Sequence, residues 1–166
     1  MGRIAAVVLV LAALLGGSAC RDESFDSGAG TTSTTAVAVV REILATDADP
    51  PGAPGRTLTL VRYTIAPGAQ LPAHIHPGVQ LAAIQSGSLT YTVLSGTASV
   101  ERADGTTEPV TGPATVLLKP GDEVTETGDM VHFGANSTGA PVVILATLLT
   151  ESGRDLAVVV TTTAPR

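Results

Sequence analysis

A chain of 166 residues with 9 Lys and Arg against 15 Asp and Glu has a net charge of −6. With a single Lys it lacks the clustered cations that bind phosphates, so nucleic acid is excluded as a partner. One Cys excludes an intrachain disulfide framework and a thiolate zinc cluster, and the length supports one compact domain.

Residues 1–19 begin with Arg3, run through an apolar stretch from Ile4 to Leu15 and end in Gly16, Gly17, Ser18 and Ala19. A basic start, about 12 apolar residues and a small-residue end are the grammar of a secretory signal. The run is shorter than the roughly 20 residues that a bilayer span needs. Gly17-Ser18-Ala19-Cys20 resembles the lipobox of bacterial lipoproteins, although the Leu usual three residues before the Cys is Gly17 here. The resemblance implies lipid attachment at Cys20 and a mature protein at the outer face of the cytoplasmic membrane or elsewhere in the cell envelope. Ordinary cleavage after Ala19 would instead release a secreted protein with an exposed thiol. Residues 20–36 are polar and rich in Gly, Ser and Thr, which predicts a flexible linker. The sixteen residues 21–36 reach on the order of 22 Å.

From 37 to 166 the pattern changes to short β-prone runs between turn residues. Strands are predicted at 37–45, 58–66, 79–85, 88–94, 97–102, 114–118, 123–127, 130–135, 141–149 and 155–162. Asp49-Pro50-Pro51-Gly52, Ala66-Pro67-Gly68, Ser86-Gly87, Ser95-Gly96, Asp104-Gly105 and Lys119-Pro120-Gly121 separate them, and each is a turn sequence. Leu89, Tyr91 and Val93 alternate with Thr90 and Thr92, which places the three apolar residues on one face. The chain holds 23 Thr and 19 Val, whose branched side chains suit strands. Runs 37–45 and 141–149 also fit short helices. Many short strands at close spacing predict an all-β sandwich or barrel.

The three histidines form one constellation. His74 and His76 are two apart, so on a strand both imidazoles leave the same face. Pro72 and Pro77-Gly78 bracket them and hold the stretch extended. His132 lies 56 positions beyond His76 and supplies a third nitrogen. Three neutral imidazoles are a suitable ligand set for a divalent transition metal (Fe, Mn, Zn, Ni or Cu) with a position left open for water or substrate.

These residues resemble the cupin family. Its first motif, G-x5-H-x-H-x3/4-E-x6-G, is met by Gly68, His74, His76 and Gly87, with Gln80 in the glutamate place. Its second, G-x5-P-x-G-x2-H-x3-N, is met by Gly121, His132 and Asn136, with Thr127 for the Pro and Asp129 for the Gly. The resemblance implies a double-stranded β-helix, a jelly-roll barrel, with His74, His76, Gln80 and His132 in its mouth as metal ligands. Homodimerisation through the N-terminal strand is implied in the same way. A neutral Gln80 would leave a divalent site with one more positive charge than a carboxylate would, so Gln80→Glu is expected to tighten metal binding.

Other residues carry less. No G-x-S-x-G elbow, P-loop or G-x-G-x-x-G occurs. Glu123, Glu126 and Asp129 read as solvated turn charges, and Tyr91 as a pocket-lining donor or a core residue. Phe133 is expected to point away from its neighbour His132 and to pack. The sequon Asn136-Ser137-Thr138 overlaps the second motif and reads as coincidental. The expectation is an exported, lipid-anchored, metal-binding cupin that binds or transforms a small molecule, by dioxygenase-like chemistry if it is an enzyme. The alternative is a non-catalytic ligand-binding or sensing module, with or without metal.

Overall fold

The computed structural model describes residues 38–161. The signal segment, Cys20 and the linker lie outside the described residues. Within them the chain is all-β, with twelve strands and no helix. In chain order these are β1 (Val39–Ala48), β2 (Arg56–Ile65), β3 (His74–Ile75), β4 (Gly78–Ser86), β5 (Leu89–Ser95) and β6 (Thr97–Glu101). There follow β7 (Thr107–Thr111), β8 (Ala114–Leu118), β9 (Glu123–Glu126), β10 (Val131–Ala135), β11 (Val142–Glu151) and β12 (Val158–Val159).

Two antiparallel sheets form the layers. The larger runs β1-β2-β11-β4-β9-β6-β7 and the smaller β12-β3-β10-β5-β8. Alternation decides what lies between them: Val142, Ile144, Ala146, Leu148 and Thr150 of β11 are buried and their neighbours are not. Leu89, Tyr91 and Val93 of β5 are buried from the other side, as their spacing predicts. Val61 and Ile65 of β2, Ala82 and Ile84 of β4 and Leu118 of β8 complete the inner faces.

Of the run at 37–45, the residues from Val39 on form a strand and not a helix, because β1 pairs with β2 along almost its whole length. It is an edge strand, which leaves Val40 and Ile43 exposed. Two strands go beyond the sequence expectation. β7 is mostly polar, with Val110 its only buried residue, so its pairing with β6 leaves little apolar pattern to read. β3 is two residues long, and the expected strand at 155–162 shrinks to β12, its partner. Gly78 opens β4 at φ 159°, where a Cβ would stand 2.1 Å from the Leu149 carbonyl oxygen. Only glycine lets β4 approach β11 so closely two residues after His76.

Candidate metal centre

The three histidines meet between the sheets. His132 of β10 is the direct cross-strand partner of His74 of β3, and His76 follows two residues later on the same face. Their ring centroids lie 4.4 Å (His74–His132), 5.0 Å (His74–His76) and 5.2 Å (His76–His132) apart. One nitrogen from each falls within 4.8 Å of the others, and all three side chains are buried. Phe133 is half-buried between buried His132 and Gly134, on the opposite face of β10 as expected.

Backbone carbonyls orient two of the rings. His74 Nδ1 donates to the Pro72 oxygen at 2.8 Å, and His76 Nδ1 donates to the Leu156 oxygen at 2.6 Å. A donating Nδ1–H leaves the Nε2 of each neutral ring with its lone pair facing inward, the arrangement typical of a metal-ligating histidine. Burial lowers the His74 pKa to about 4, offset in part by the Pro72 carbonyl, so this ring is neutral near pH 7.

Glu126 corrects the sequence reading. It is not a solvated turn charge but a buried carboxylate, 2 % exposed, among the histidines. Its Oε2 lies 3.2 Å from His76 Nε2 and 3.1 Å from His132 Nε2, and it accepts a hydrogen bond from Gln80 Nε2 at 2.5 Å. Burial would raise this carboxyl, but the two imidazoles beside it more than offset that and hold it well below the ordinary carboxylate range. The same contact raises His76 above its ordinary value against the opposing effect of burial. A signal for this placement exists in the sequence: Val124 and Glu126 share one face of β9, so a buried valine brings the glutamate inward with it. Glu123, by contrast, is exposed, and Asp129 is exposed in the turn before β10, accepting a bond from Thr127 Oγ1.

Gln80 of β4 is buried and faces the same space. Tyr91 is both core and pocket lining, 2 % exposed, with its ring 5.7 Å from that of His132. Burial, reinforced by the negative charge of Glu126, pushes its hydroxyl far up, so it keeps its proton. Four buried side-chain polar atoms lack a hydrogen-bond partner among the described residues: His76 Nε2, Gln80 Oε1, Tyr91 OH and His132 Nδ1. All four residues line one cavity of about 310 Å³. Unsatisfied polar atoms in a core are costly, and these gather in the one space that the imidazole nitrogens and a carboxylate share, a polar end that a bound cation or the polar group of a ligand would satisfy. Away from this end the walls are apolar, with Leu71, Ala82, Ile84, Val124 and Ile144 among them, and Arg41 is the one Lys or Arg among the described lining residues.

Asn136 closes the second motif in a structural role. Its Nδ2 donates to the Ile65 and Ala140 oxygens at 3.0 and 2.8 Å, and its Oδ1 accepts from Thr138 N and Oγ1. Buried and committed in this way, it does not present its amide to solvent, which agrees with the coincidental reading of the sequon.

No family model matches the chain. It is 36% identical over 103 residues to germin-like protein 3-1 of Oryza sativa subsp. japonica, a match covering 61% of this chain and 40% of that protein. Among solved structures it resembles an oxalate oxidase in complex with the substrate analogue glycolate (TM-score 0.53, 18% identity, 76% of this chain and 57% of that one). A second oxalate oxidase structure is similar over 90% of this chain and 73% of its own, with TM-score 0.53 and 20% identity. The chain thus spans well under two thirds of the germin-like protein and of the first oxidase. At these identities the likeness shows the fold, which is the cupin double-stranded β-helix that the two motifs imply.

Proposed function

We propose that this cupin barrel binds a divalent transition metal through His74, His76 and His132 and uses it to hold, and in an oxidative reaction to transform, a small molecule with one polar end and an apolar body. The observation that carries the reading is the convergence of three buried imidazoles, two of them set by backbone carbonyls to face their lone pairs inward. A bound ion supplies Lewis acidity and, if it is Fe or Mn, redox capacity. The chain's own residues do the rest. The carbonyls of Pro72 and Leu156 fix ring orientation, the apolar walls exclude water and grip the body of the ligand, and Arg41 at the β1 side favours an anionic group.

The oxalate of the solved relatives is a poor match to this cavity. A two-carbon dianion would leave much of about 310 Å³ unfilled and set its oxygens against apolar walls. A carboxylic acid with a hydrocarbon portion suits it better. Export, attachment at Cys20 to a membrane, a cell-envelope location and pairing of two copies through β1 belong to the same proposal.

Elemental analysis of protein purified without chelator tests the metal. Near-stoichiometric metal in the wild type and its loss in His76→Ala support the reading, and a metal-free wild type sinks it. Oxygen uptake with small carboxylic acids then separates the two modes of use. Turnover abolished by His76→Ala marks an oxidoreductase, and a bound ligand without turnover marks a binding module. The orphaned Tyr91 hydroxyl and Gln80 oxygen are donors and acceptors that such a module would use.

A further inference from the structure

Three histidines do not exhaust the polar groups at the centre, since Glu126 is buried among them and is the only buried glutamate among the described residues. We propose that Glu126 is the oxygen ligand of the metal, occupying the role that the first motif assigns to position 80, and that Gln80 is a positioning residue that holds it. The inference rests on the metal-binding reading above.

The ladder makes the exchange geometrically cheap. Gln80 of β4 and Glu126 of β9 are direct cross-strand partners. Directly opposite residues project to the same face with Cβ atoms only about 5 Å apart. A carboxylate can therefore move from one strand to its neighbour and still reach the same point between the sheets. Gln80 then has the chemistry of a support: its Nε2 donates to Glu126 Oε2, whereas a flipped amide would set oxygen against oxygen.

The distances agree with a shared ion. Two ligand atoms about 2.1 Å from one metal stand roughly 3.0 Å apart at a right angle and roughly 3.4 Å apart at the tetrahedral angle. Glu126 Oε2 lies 3.1 and 3.2 Å from the two Nε2 atoms. Despite that proximity, His76 Nε2 has no hydrogen-bond partner, while its Nδ1 is already engaged with Leu156. With Nδ1 committed to Leu156, His76 turns Nε2 toward a carboxylate oxygen, a contact that either a proton on Nε2 or a metal ion between the two atoms makes favourable. No Lys or Arg among the described residues forms an ion pair with Glu126, so its buried charge is balanced by protons on the histidines or, once those are displaced, by a metal ion held among the same nitrogens. One carboxylate and three neutral imidazoles around a dication leave a net charge near +1.

The test uses Mn(II) with the full chain as wild type, Glu126→Gln, Gln80→Leu and the double variant Gln80→Glu/Glu126→Gln. Affinity is read by chelator competition and ligand symmetry by Mn(II) paramagnetic resonance, with circular dichroism confirming the fold. Glu126→Gln should weaken binding by about a hundredfold and change the resonance, and Gln80→Leu by about tenfold. The double variant should recover most of the loss by returning the carboxylate to β4. Gln80→Glu alone sets two carboxyls against each other, so its gain in affinity requires Glu126→Gln as well. Binding by Glu126→Gln that matches the wild type, or a larger loss in Gln80→Leu than in Glu126→Gln, overturns the proposal. A wild type that takes up no divalent metal overturns the metal-binding reading itself, a distinguishable result. If Glu126→Gln does not fold, wild-type protein made by cell-free synthesis with carboxylate-¹³C glutamate decides instead. Bound Mn(II) should then show a ¹³C hyperfine coupling, and its absence removes Glu126 from the ligand set.

Discussion

His132 stands directly opposite His74 in the pairing of β10 with β3, with their ring centroids 4.4 Å apart. Two strands remote in sequence thus bring their imidazoles to one point. Removing either nitrogen should cost more than the loss of an orienting group, which is worth 10–100-fold in metal affinity. His74→Ala and His132→Ala are each expected to weaken binding by about a hundredfold or more in a competition titration. Near-wild-type affinity in either variant would remove that ring from the ligand set.

Affinity should also depend on pH with a defined sign. A metal and a proton exclude each other at His76 Nε2, and contact with Glu126 holds that proton past the ordinary value of about 6.5, against the effect of burial. His74, lowered to about 4, has no proton to lose across the same range. Mn(II) affinity should therefore rise by about tenfold per pH unit from pH 5 and level off only above the raised His76 value. A flat profile between pH 5 and 8 would contradict this assignment.

Asn136 ties the end of β10 to β2 through the Ile65 oxygen and to its own turn through Ala140 and Thr138. Asn136→Ala should destabilise the fold by roughly 1–3 kcal/mol, because buried partners are left unpaired. Asn136→Asp should be worse, since it turns a carboxylate oxygen toward the Ile65 and Ala140 carbonyls. Denaturant melts of the two variants check the order.

Asp122, 5 % exposed, accepts from Lys119 N at 3.0 Å, Ala103 N at 3.1 Å and Arg102 Nη1 at 2.8 Å. Burial would raise its pKa, but the bonds from Lys119, Arg102 and Ala103 outweigh that and lower it. Its folded value is depressed, so the stabilisation is fully present above the unfolded value of about 3.9 and is lost as pH falls through the folded value. Asp122→Ala should cost roughly 1–3 kcal/mol at pH 7 and show a shallower acid limb below pH 4 than the wild type. Equal acid sensitivity of the two proteins would exclude Asp122 as a contributor.

Much of this protein is legible in one dimension. The two-residue spacing of His74 and His76, the prolines around them and the motif spacing to His132 and Asn136 are local chemistry, and so is the alternation of β5 and β11. They determine that the described residues are all-β, that Leu89, Tyr91 and Val93 face inward, and which three imidazoles share a site. What the tertiary structure alone decided is who stands opposite whom. Glu126 is an ordinary charge beside a turn until β9 pairs with β4 and places it against Gln80, 46 residues away. The Leu156 carbonyl acquires a role only when the chain returns, 80 residues later, to His76. Side-chain periodicity follows from the backbone of each strand, whereas register and sheet order follow from burying all the inner faces together. The carboxylate at the centre of the site is a product of that second requirement.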